Sequence, residues 1–431
     1  MKKSRYVIEI ENYPIDKYNV WFSTATGKMT LVSNETKNDI VNDIYNKKVN
    51  KLEKMKFVIR DDFDEKKWAK YIYNTTNYAD ESIGLTITPT MKCNFKCTYC
   101  CECDEKKIND MSMETAEKII HWFKELVEIH RYKRVEVQYF GGEPTLNRDV
   151  FTYLAKNMKL LSQEYGFFLK SYVVTNGYFE KELIDRMLDW GIKNIQFTID
   201  GLSELQNIRK PLASGGETFD IVYGNFLYCA RMAEKFEEIN LRVNIDESNI
   251  DDIVPLLDKV KEDLGDVSLI TLDLNETNWM GRKESEYTQI RDFIVETNLY
   301  AIEQGFKYDF HQGHFDSCNY SKINNIVIGA DGNVYKCLMM VNEDAFKVTN
   351  FMDYYNSLEM IEFTEYEVDE RCFECKYCPM CFGGCKAAAF ANTGNKNNKS
   401  CRKVYFDNFF EKHLKLYYMS LMKKKENEYS K

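Results

Sequence analysis

Two groups of cysteines are the residues in this sequence that are most able to do chemistry. The first group lies between Cys93 and Cys103, and the second extends from Cys372 to Cys385. Ten of the fourteen cysteines fall within these two short segments. Clustered cysteines in a large chain that is not exported are more often metal ligands than disulfide partners. The pattern therefore predicts bound metal at two places in the chain.

The first group begins with a C-x3-C-x2-C spacing, formed by Cys93, Cys97 and Cys100. Three thiolates in one loop can bind three irons of a [4Fe–4S] cluster and leave the fourth iron open to a small chelating ligand. A zinc loop or a set of reactive thiols is the alternative for three cysteines alone. Cys101 and Cys103 exceed the three-ligand need, and we interpret them as additional thiols near the loop, with a redox or substrate-linking role as the alternative.

The segment between Ile83 and about Gln304 alternates short strands with amphipathic helices. The apolar runs that predict strands begin at Ile83, Arg134, Ser171, Asn194, Leu241 and Leu269. The helical stretches between and after them begin at Met113, Val150, Glu180, Thr218, Asn249 and Glu284. Strands that alternate with helices indicate βαβ units and a parallel sheet. We therefore predict an α/β fold with a partial (β/α)6 TIM-like barrel, whose chemistry lies at the carboxyl ends of the strands.

Polar or glycine-rich motifs follow four of these predicted strands. Paired glycines let the backbone come close to a ligand, because they have no side chain. In chain order the motifs are Gly141-Gly142-Glu143, Thr175-Asn176, Thr198 and Asp200 with Arg209 shortly after them, and Asn244.

The cysteine spacing and these motifs together resemble the radical S-adenosylmethionine (radical SAM) superfamily, which usually has an aromatic residue, here Tyr99, before the last cysteine. The resemblance implies a [4Fe–4S] cluster on Cys93, Cys97 and Cys100, with S-adenosyl-L-methionine bound beside it. It places Gly141, Gly142 and Glu143 at the methionine amino group, Thr175 and Asn176 on the ribose side, Arg209 at the methionine carboxylate and Asn244 near the nucleoside. Where the family often has a histidine before the arginine, this chain has Gln206 and Asn207.

The second cysteine group, extended by Cys318, Gly332, Cys337 and Cys401, resembles the seven-cysteine SPASM domain. That resemblance implies two auxiliary [4Fe–4S] clusters, and thus three clusters in all. It assigns Cys372, Cys375, Cys381 and Cys401 to an outer cluster and Cys318, Cys337 and Cys385 to an inner one. The inner set lacks a fourth ligand, which could be Cys378, His311, His314 or a substrate thiolate. A zinc ribbon is the alternative for this segment, since C-x2-C pairs also bind zinc.

The first 80 residues do not follow the alternation of strands and helices. The segment from Tyr18 to Ser33 predicts a hairpin that turns at Thr26-Gly27. Asn34 or Thr36 is expected to cap a helix that continues to Tyr45, and residues 61–73 predict another helix.

We therefore predict three domains. Residues 1–81 form a winged-helix-like α+β domain that recognises a leader peptide, residues 82–308 form the radical SAM partial barrel, and residues 309–431 form the SPASM domain.

Charge and hydropathy exclude several classes of function. The formal net charge is −10, and the only basic run is the tail from Lys423 to Lys425, so neither nucleic acid nor an anionic membrane is an expected partner. No run of about 18 apolar residues is present, and Glu9 and Glu11 interrupt the apolar start, so neither a membrane span nor a signal peptide is predicted. We expect a cytoplasmic protein.

SPASM relatives act mostly on peptides, and the resemblance therefore predicts a maturase of ribosomally made peptides. Leu338 follows Cys337 where sulfatase-maturing relatives usually have aspartate, which disfavours that activity. A thioether from cysteine is the favoured product, with a carbon–carbon or other side-chain crosslink as the alternative. A radical SAM oxidoreductase acting on a small molecule and a zinc-stabilised binding protein are the other hypotheses. The expected partners are a precursor peptide and an electron donor such as flavodoxin or ferredoxin.

Overall fold

A computed structural model describes residues 1–100, 109–277, 288–310, 318–365 and 367–429. They form two compact units. Unit 1 comprises Met1–Ala79, Phe310–Ile323 and Thr364–Lys415, and unit 2 comprises Asp80–Asp309, Asn324–Phe363 and Leu416–Lys431. Cys101, Cys103, His311 and His314 lie outside the described residues. The division into three functional domains stays a prediction.

The strands, in chain order, are β1 (Lys2–Lys3), β2 (Val7–Ile10), β3 (Tyr18–Ser23), β4 (Met29–Ser33), β5 (Val58–Ile59), β6 (Ser82–Thr90), β7 (Arg134–Gly141), β8 (Phe168–Thr175), β9 (Ile192–Thr198), β10 (Glu238–Ile245), β11 (Ile270–Glu276), β12 (Lys307–Tyr308), β13 (Asn325–Ile328), β14 (Asn333–Tyr335) and β15 (Lys347–Asn350). The helices are α1 (Asn34–Val41), α2 (Lys47–Lys54), α3 (Glu65–Asn77), α4 (Met113–His130), α5 (Arg148–Tyr165), α6 (Glu182–Asp189), α7 (Ser203–Arg209), α8 (Phe219–Ala230), α9 (Ile250–Leu264), α10 (Thr288–Gln304), α11 (Leu358–Thr364), α12 (Cys378–Cys381), α13 (Lys386–Thr393) and α14 (Lys403–Tyr429).

Unit 1 begins with a three-stranded antiparallel sheet in the order β2-β3-β4. The hairpin turns where the sequence predicts, and Gly27 takes a φ of +65° that favours glycine. The predicted cap of α1 is wrong. Ser33, rather than Asn34 or Thr36, has extended backbone and accepts a hydrogen bond from the Thr36 N–H at 3.2 Å, so the helix begins directly after it.

The other helix predicted in this region, residues 61–73, lies four residues further along the chain as α3. Asp64 caps it by accepting a hydrogen bond from the Lys67 N–H at 3.0 Å. The helix from Asn34 also ends at Val41 rather than at Tyr45.

One apolar cluster of unit 1 joins the first 79 residues to the second cysteine group. Its buried members are Tyr6, Ala25, Ala69, Tyr73, Val368, Cys372, Phe373, Cys378 and Phe382. Polar contacts accompany this packing. The Tyr6 hydroxyl donates to the Phe373 carbonyl at 2.8 Å, and the Thr24 hydroxyl donates to the Lys376 carbonyl at 2.6 Å. Residues that flank the N-terminal sheet, together with α3, therefore share one core with the cysteine group.

Unit 2 is built on a sheet with the strand order β12-β11-β10-β9-β8-β7-β6-β13-β14-β15. The strands β6 to β11 are parallel and follow one another in chain order, which confirms the predicted parallel sheet. The sheet continues beyond them: β13 pairs in parallel with β6, and β14 and β15 follow antiparallel. Residues 325–350, assigned to the SPASM domain from the sequence, thus extend the sheet of the barrel.

None of the helices in the described ranges is long and apolar enough to cross a bilayer.

Candidate active site

The loop that contains the first cysteine group follows β6 directly and is fixed to the segment after α7. The Lys96 N–H donates to the Pro211 carbonyl at 2.9 Å, and the Thr98 N–H donates to the Arg209 carbonyl at 3.0 Å. Phe95, between Cys93 and Cys97, is buried. These contacts hold the loop at the carboxyl edge of the parallel sheet, where the sequence predicts the chemistry.

The paired glycines after β7 bring this loop and the sheet into close contact. The Gly142 N–H donates to the Thr90 carbonyl at 3.2 Å, and the Glu143 N–H donates to the Lys92 carbonyl at 2.8 Å. A Cβ atom on Gly142 would lie 2.3 Å from the Lys92 carbonyl oxygen, and one on Gly141 would lie 2.1 Å from that of Thr90. Only residues without a side chain fit here, and Lys92 is the residue that precedes Cys93.

Glu143 connects the ends of β7 and β8. Its fully buried carboxylate accepts hydrogen bonds from the Thr175 hydroxyl at 2.9 Å and from the Asn176 backbone N–H at 2.7 Å. Burial raises the pKa of Glu143, although these hydrogen bonds oppose the shift. The Asn176 side-chain nitrogen lies 3.7 Å from the Cys93 sulfur, so the end of β8 also contacts the cysteine loop. Burial, followed by the charge of Glu143, raises the pKa of the Cys93 thiol to about 12.

A second set of contacts joins Tyr99 to the ends of β9 and β10. The Tyr99 hydroxyl donates to the fully buried carboxylate of Asp200 and accepts from the Asn244 side chain at 3.2 Å. Asp200 also accepts from the Asn244 N–H at 2.9 Å. Burial and the charge of Asp200 raise the pKa of Tyr99 well above its usual value, so the phenol keeps its proton. Gln206, at the place of the family's histidine, accepts from the Asp200 N–H at 2.8 Å and holds that turn.

Arg209 is buried and paired with Asp246, a partner that the sequence analysis missed. The two guanidinium NH2 groups donate to the two oxygens of Asp246 at 2.7 and 2.9 Å, and the guanidinium lies 5.1 Å from the centre of the Tyr99 ring. Burial acts to raise the pKa of Asp246, but the hydrogen bonds from Arg209 and Ser248 outweigh it and lower this pKa to about 2. The buried Nε of Arg209 has no hydrogen-bond partner among the described residues.

Thr198 contributes its backbone carbonyl, which accepts from the Lys210 ammonium at 2.7 Å. Five of the other predicted residues contact the cysteine loop directly, namely Glu143, Asn176, Asp200, Arg209 and Asn244. Thr175 instead contacts Glu143.

The second cysteine group surrounds a cavity of about 280 Å³ in unit 1. The four cysteines assigned to the outer cluster line it together with Cys378. Arg371, Lys399 and Lys403 also line it and supply positive charge beside the sulfurs. Burial, opposed by the charge of Arg402, raises the pKa of Cys381 to about 11.

The cysteines assigned to the inner cluster are divided between the two units. Cys318 and Cys385 belong to unit 1, and Cys337 follows β14 in unit 2. Burial and the charge of Cys385 raise the pKa of Cys318. Burial lowers the pKa of the neighbouring Lys386 to about 8, although the Cys318 and Cys385 thiolates oppose that shift.

The donor sets fit the groups that the resemblance implies. Three thiols in one loop suit a cluster with an open iron, and a cavity walled by cysteines suits a fully thiolate-bound cluster. The Nε of Arg209 makes no hydrogen bond among the described residues, although it lies 3.9 Å from an Asp200 carboxylate oxygen, and such a donor suits an anionic group such as the carboxylate of S-adenosylmethionine. Among the described residues, no three His, Cys, Asp or Glu side chains are arranged to hold a single metal ion.

One family model matches the part of the chain that contains this site. Residues 87–260, which include the cysteine loop and the ends of β6 to β10, match the family described as Radical SAM superfamily. Residues 87–260 therefore form a radical SAM domain.

Curated relatives match part of this chain. A Methanocaldococcus jannaschii protein named as a glycyl-radical enzyme activating enzyme is 28% identical over 39% of this chain, and the match spans 56% of that relative. The GTP 3',8-cyclase of Nautilia profundicola is 23% identical over 59% of this chain and 80% of its own length.

Solved structures share the fold over more of the chain. One is the anSMEcpe structure with bound AdoMet and Kp18Cys peptide, which has a TM-score of 0.60 and 18% sequence identity. The match covers 80% of this chain and 99% of the anSMEcpe chain. Another is the Streptococcus suis SuiB structure bound to precursor peptide SuiA, which has a TM-score of 0.55 and 13% sequence identity. The match covers 92% of this chain and 98% of the SuiB chain.

Proposed function

We propose that this protein is a radical SAM peptide maturase with a SPASM domain. The enzyme forms a crosslink in a ribosomally made precursor peptide, and a thioether from cysteine is the favoured product. The observation that supports this most is the presence of two cysteine sites in one chain. A loop with three cysteines, which suits a cluster with an open iron, belongs to one unit, and a separate cavity lined by cysteines belongs to the other. Two proteins that share the fold have been solved with peptides bound, which also supports a peptide substrate.

The cysteine loop and the paired glycines of the radical SAM domain have proposed parts in this reaction. A reduced cluster on Cys93, Cys97 and Cys100 would supply the electron that cleaves S-adenosylmethionine and gives a 5'-deoxyadenosyl radical. Gly141 and Gly142 fix the cysteine loop against the sheet through their close backbone contacts.

The strand ends would hold the cofactor. Glu143 orients Asn176, whose side chain faces the Cys93 sulfur, and Asp200 orients Tyr99 and Asn244. Arg209 is rigidly held by Asp246 and would offer its remaining donor to the methionine carboxylate.

We further propose that a leader peptide binds at the outer edge of β4. Within the described residues β4 pairs with β3 alone, so its other edge can accept an added strand. Leu31 on this strand is 42% exposed and offers an apolar contact beside the backbone hydrogen bonds.

Leader binding is tested by changing the edge rather than by deleting the domain, because the N-terminal residues share a core with the cysteine group. Leu31→Asp should weaken binding of a fluorescein-labelled synthetic leader, as measured by fluorescence anisotropy. The leader is that of a candidate precursor chosen from short reading frames next to the gene for this chain. Val41→Asp, on the neighbouring α1 and 81% exposed, is the matched control and should bind as the wild type does. Equal affinities for the two variants would contradict the β4 site.

The reaction is tested by anaerobic incubation of the iron-loaded protein with S-adenosylmethionine, dithionite and that precursor. We expect 5'-deoxyadenosine, together with a peptide that has lost two hydrogen atoms for each crosslink. The fully loaded chain should contain about twelve irons if three cubane clusters are present. A protein with no iron, or one that leaves every peptide unchanged, would contradict the proposal.

A small-molecule reaction is the second candidate, because curated relatives of the radical SAM domain are named GTP 3',8-cyclase. Incubation with GTP in place of peptide distinguishes the two. Consumption of GTP coupled to 5'-deoxyadenosine formation would favour this second candidate.

A further inference from the structure

The cavity in unit 1 is lined by one cysteine more than a cubane cluster binds. Its five cysteines are Cys372, Cys375, Cys378, Cys381 and Cys401. The SPASM resemblance uses four of them and leaves Cys378 without a role at this cavity. Because [4Fe–4S] clusters take four thiolates, two different sets of ligands are available here.

Cys378 is placed as a cluster ligand would be. It begins the short helix α12, whose last residue is Cys381, and its N–H donates to the Cys375 carbonyl at 3.0 Å. It is only 1% exposed, yet it lines the cavity. Cys372, Cys375 and Cys381 line the same cavity, so the four thiols lie around one space.

The spacing of this segment supports the same role. Cys375, Cys378, Cys381 and Cys385 form the run C-x2-C-x2-C-x3-C. In bacterial ferredoxins this run provides three ligands to one cluster, and its fourth cysteine binds the other cluster. Here the first three members line the cavity, whereas Cys385 is the member assigned to the inner cluster.

Cys401 is the ligand that Cys378 can replace most easily. Cys401 is exposed, whereas Cys372 and Cys378 are buried and Cys375 and Cys381 are partly buried. It also lies beyond α13 in the sequence, so its ligation closes a longer loop than ligation by Cys378, which costs more conformational entropy.

We propose that Cys378 is an alternative ligand of the outer auxiliary cluster and exchanges with Cys401. This inference rests on the proposed function only in that an iron–sulfur cluster occupies the cavity. The exchange breaks one iron–sulfur bond and forms another, with a proton passing from the incoming thiol to the departing thiolate, so no oxidant or reductant is needed.

Iron content of the full chain, reconstituted anaerobically, tests the exchange. Cys401→Ala and Cys378→Ala should each keep the wild-type iron content, and the double variant should lose about four irons per chain. Cys229→Ala, a buried cysteine in α8 outside both groups, controls for loss of a thiol and should keep all its iron. Loss of about four irons from either single variant would overturn the proposal.

Alkylation of the unmodified holoprotein provides a second measurement that needs no variant. Iodoacetamide should label Cys401 while the iron content stays unchanged, because Cys378 then holds the cluster. Failure to label Cys401, or labelling accompanied by loss of iron, would overturn the exchange. A wild-type protein with only about four irons would instead overturn the auxiliary clusters of the proposed function, so the two failures are distinguishable.

Discussion

Replacing Gly142 with alanine tests how the cysteine loop is positioned. A Cβ atom at this residue would lie 2.3 Å from the Lys92 carbonyl oxygen and 2.5 Å from that of Met91. Both neighbours are backbone atoms, so the loop itself must move by about 1 Å to restore ordinary contact. Overpacking of this kind costs about 1–3 kcal/mol of folding free energy. Because Cys93 follows Lys92 directly, the displacement reaches the first proposed cluster ligand.

We expect Gly142→Ala to lower the rate of 5'-deoxyadenosine formation by about 10²-fold, since a misplacement of 1 Å at a reacting centre has this effect. The rate is measured anaerobically with dithionite, and the thermal unfolding midpoint should fall as well. Gly224→Ala is the matched control: this glycine lies on the exposed side of α8, and a Cβ atom there meets nothing within 4 Å. The control should be more stable by about 1 kcal/mol, with an unchanged rate. A Gly142→Ala protein that matches the Gly224→Ala protein in both measurements would refute the reasoning.

Three further substitutions test other contacts. Asp246→Asn should lower the free energy of unfolding by about 2 kcal/mol, since the folded pKa near 2 lies below the unfolded value. That contribution is complete above about pH 4 and is lost as the pH falls towards 2. Urea unfolding at pH 5 and pH 8 should therefore give the same difference in free energy of unfolding between the wild type and the variant. Unequal differences at the two pH values would contradict the pairing with Arg209. Tyr6→Phe removes the hydrogen bond to the Phe373 carbonyl and should cost about 1 kcal/mol in the same assay, and an unchanged stability would show that the bond contributes nothing. Cys97→Ala should abolish 5'-deoxyadenosine formation, because two thiolates hold the open-iron cluster poorly, and any retained formation would refute the assignment of the three ligands.

The sequence predicts the centre of unit 2 well because its information there is local. Each strand from β6 to β11 is a short apolar run, and the motif that follows it falls at the same edge of the sheet once the strands are parallel. The pairing of Arg209 with Asp246 could not be predicted in this way, since the two residues are 37 positions apart and both lie among other charged residues. The strands β13 to β15 were missed because they have only three or four residues each. The cap at Ser33 was missed because Asn34 and Thr36 are also good capping residues.

The shared core of unit 1 links the N-terminal residues, where we propose that the leader binds, to the cavity proposed to hold a cluster. Tyr6 and Tyr73 pack in the same apolar cluster as Cys372 and Cys378, which also line the cysteine cavity. Metal binding in such a cavity would contribute to folding energy, so the packing around Tyr6 and α3 and the occupancy of the cavity would stabilise one another. Deletion of the N-terminal residues would therefore remove part of the cavity wall's support, and a loss of peptide binding in such a truncated protein would not identify the binding surface. An exposed side chain at the β4 edge, such as Leu31, lies outside this cluster, and its substitution separates recognition of the leader from the folding of the unit that would hold the clusters.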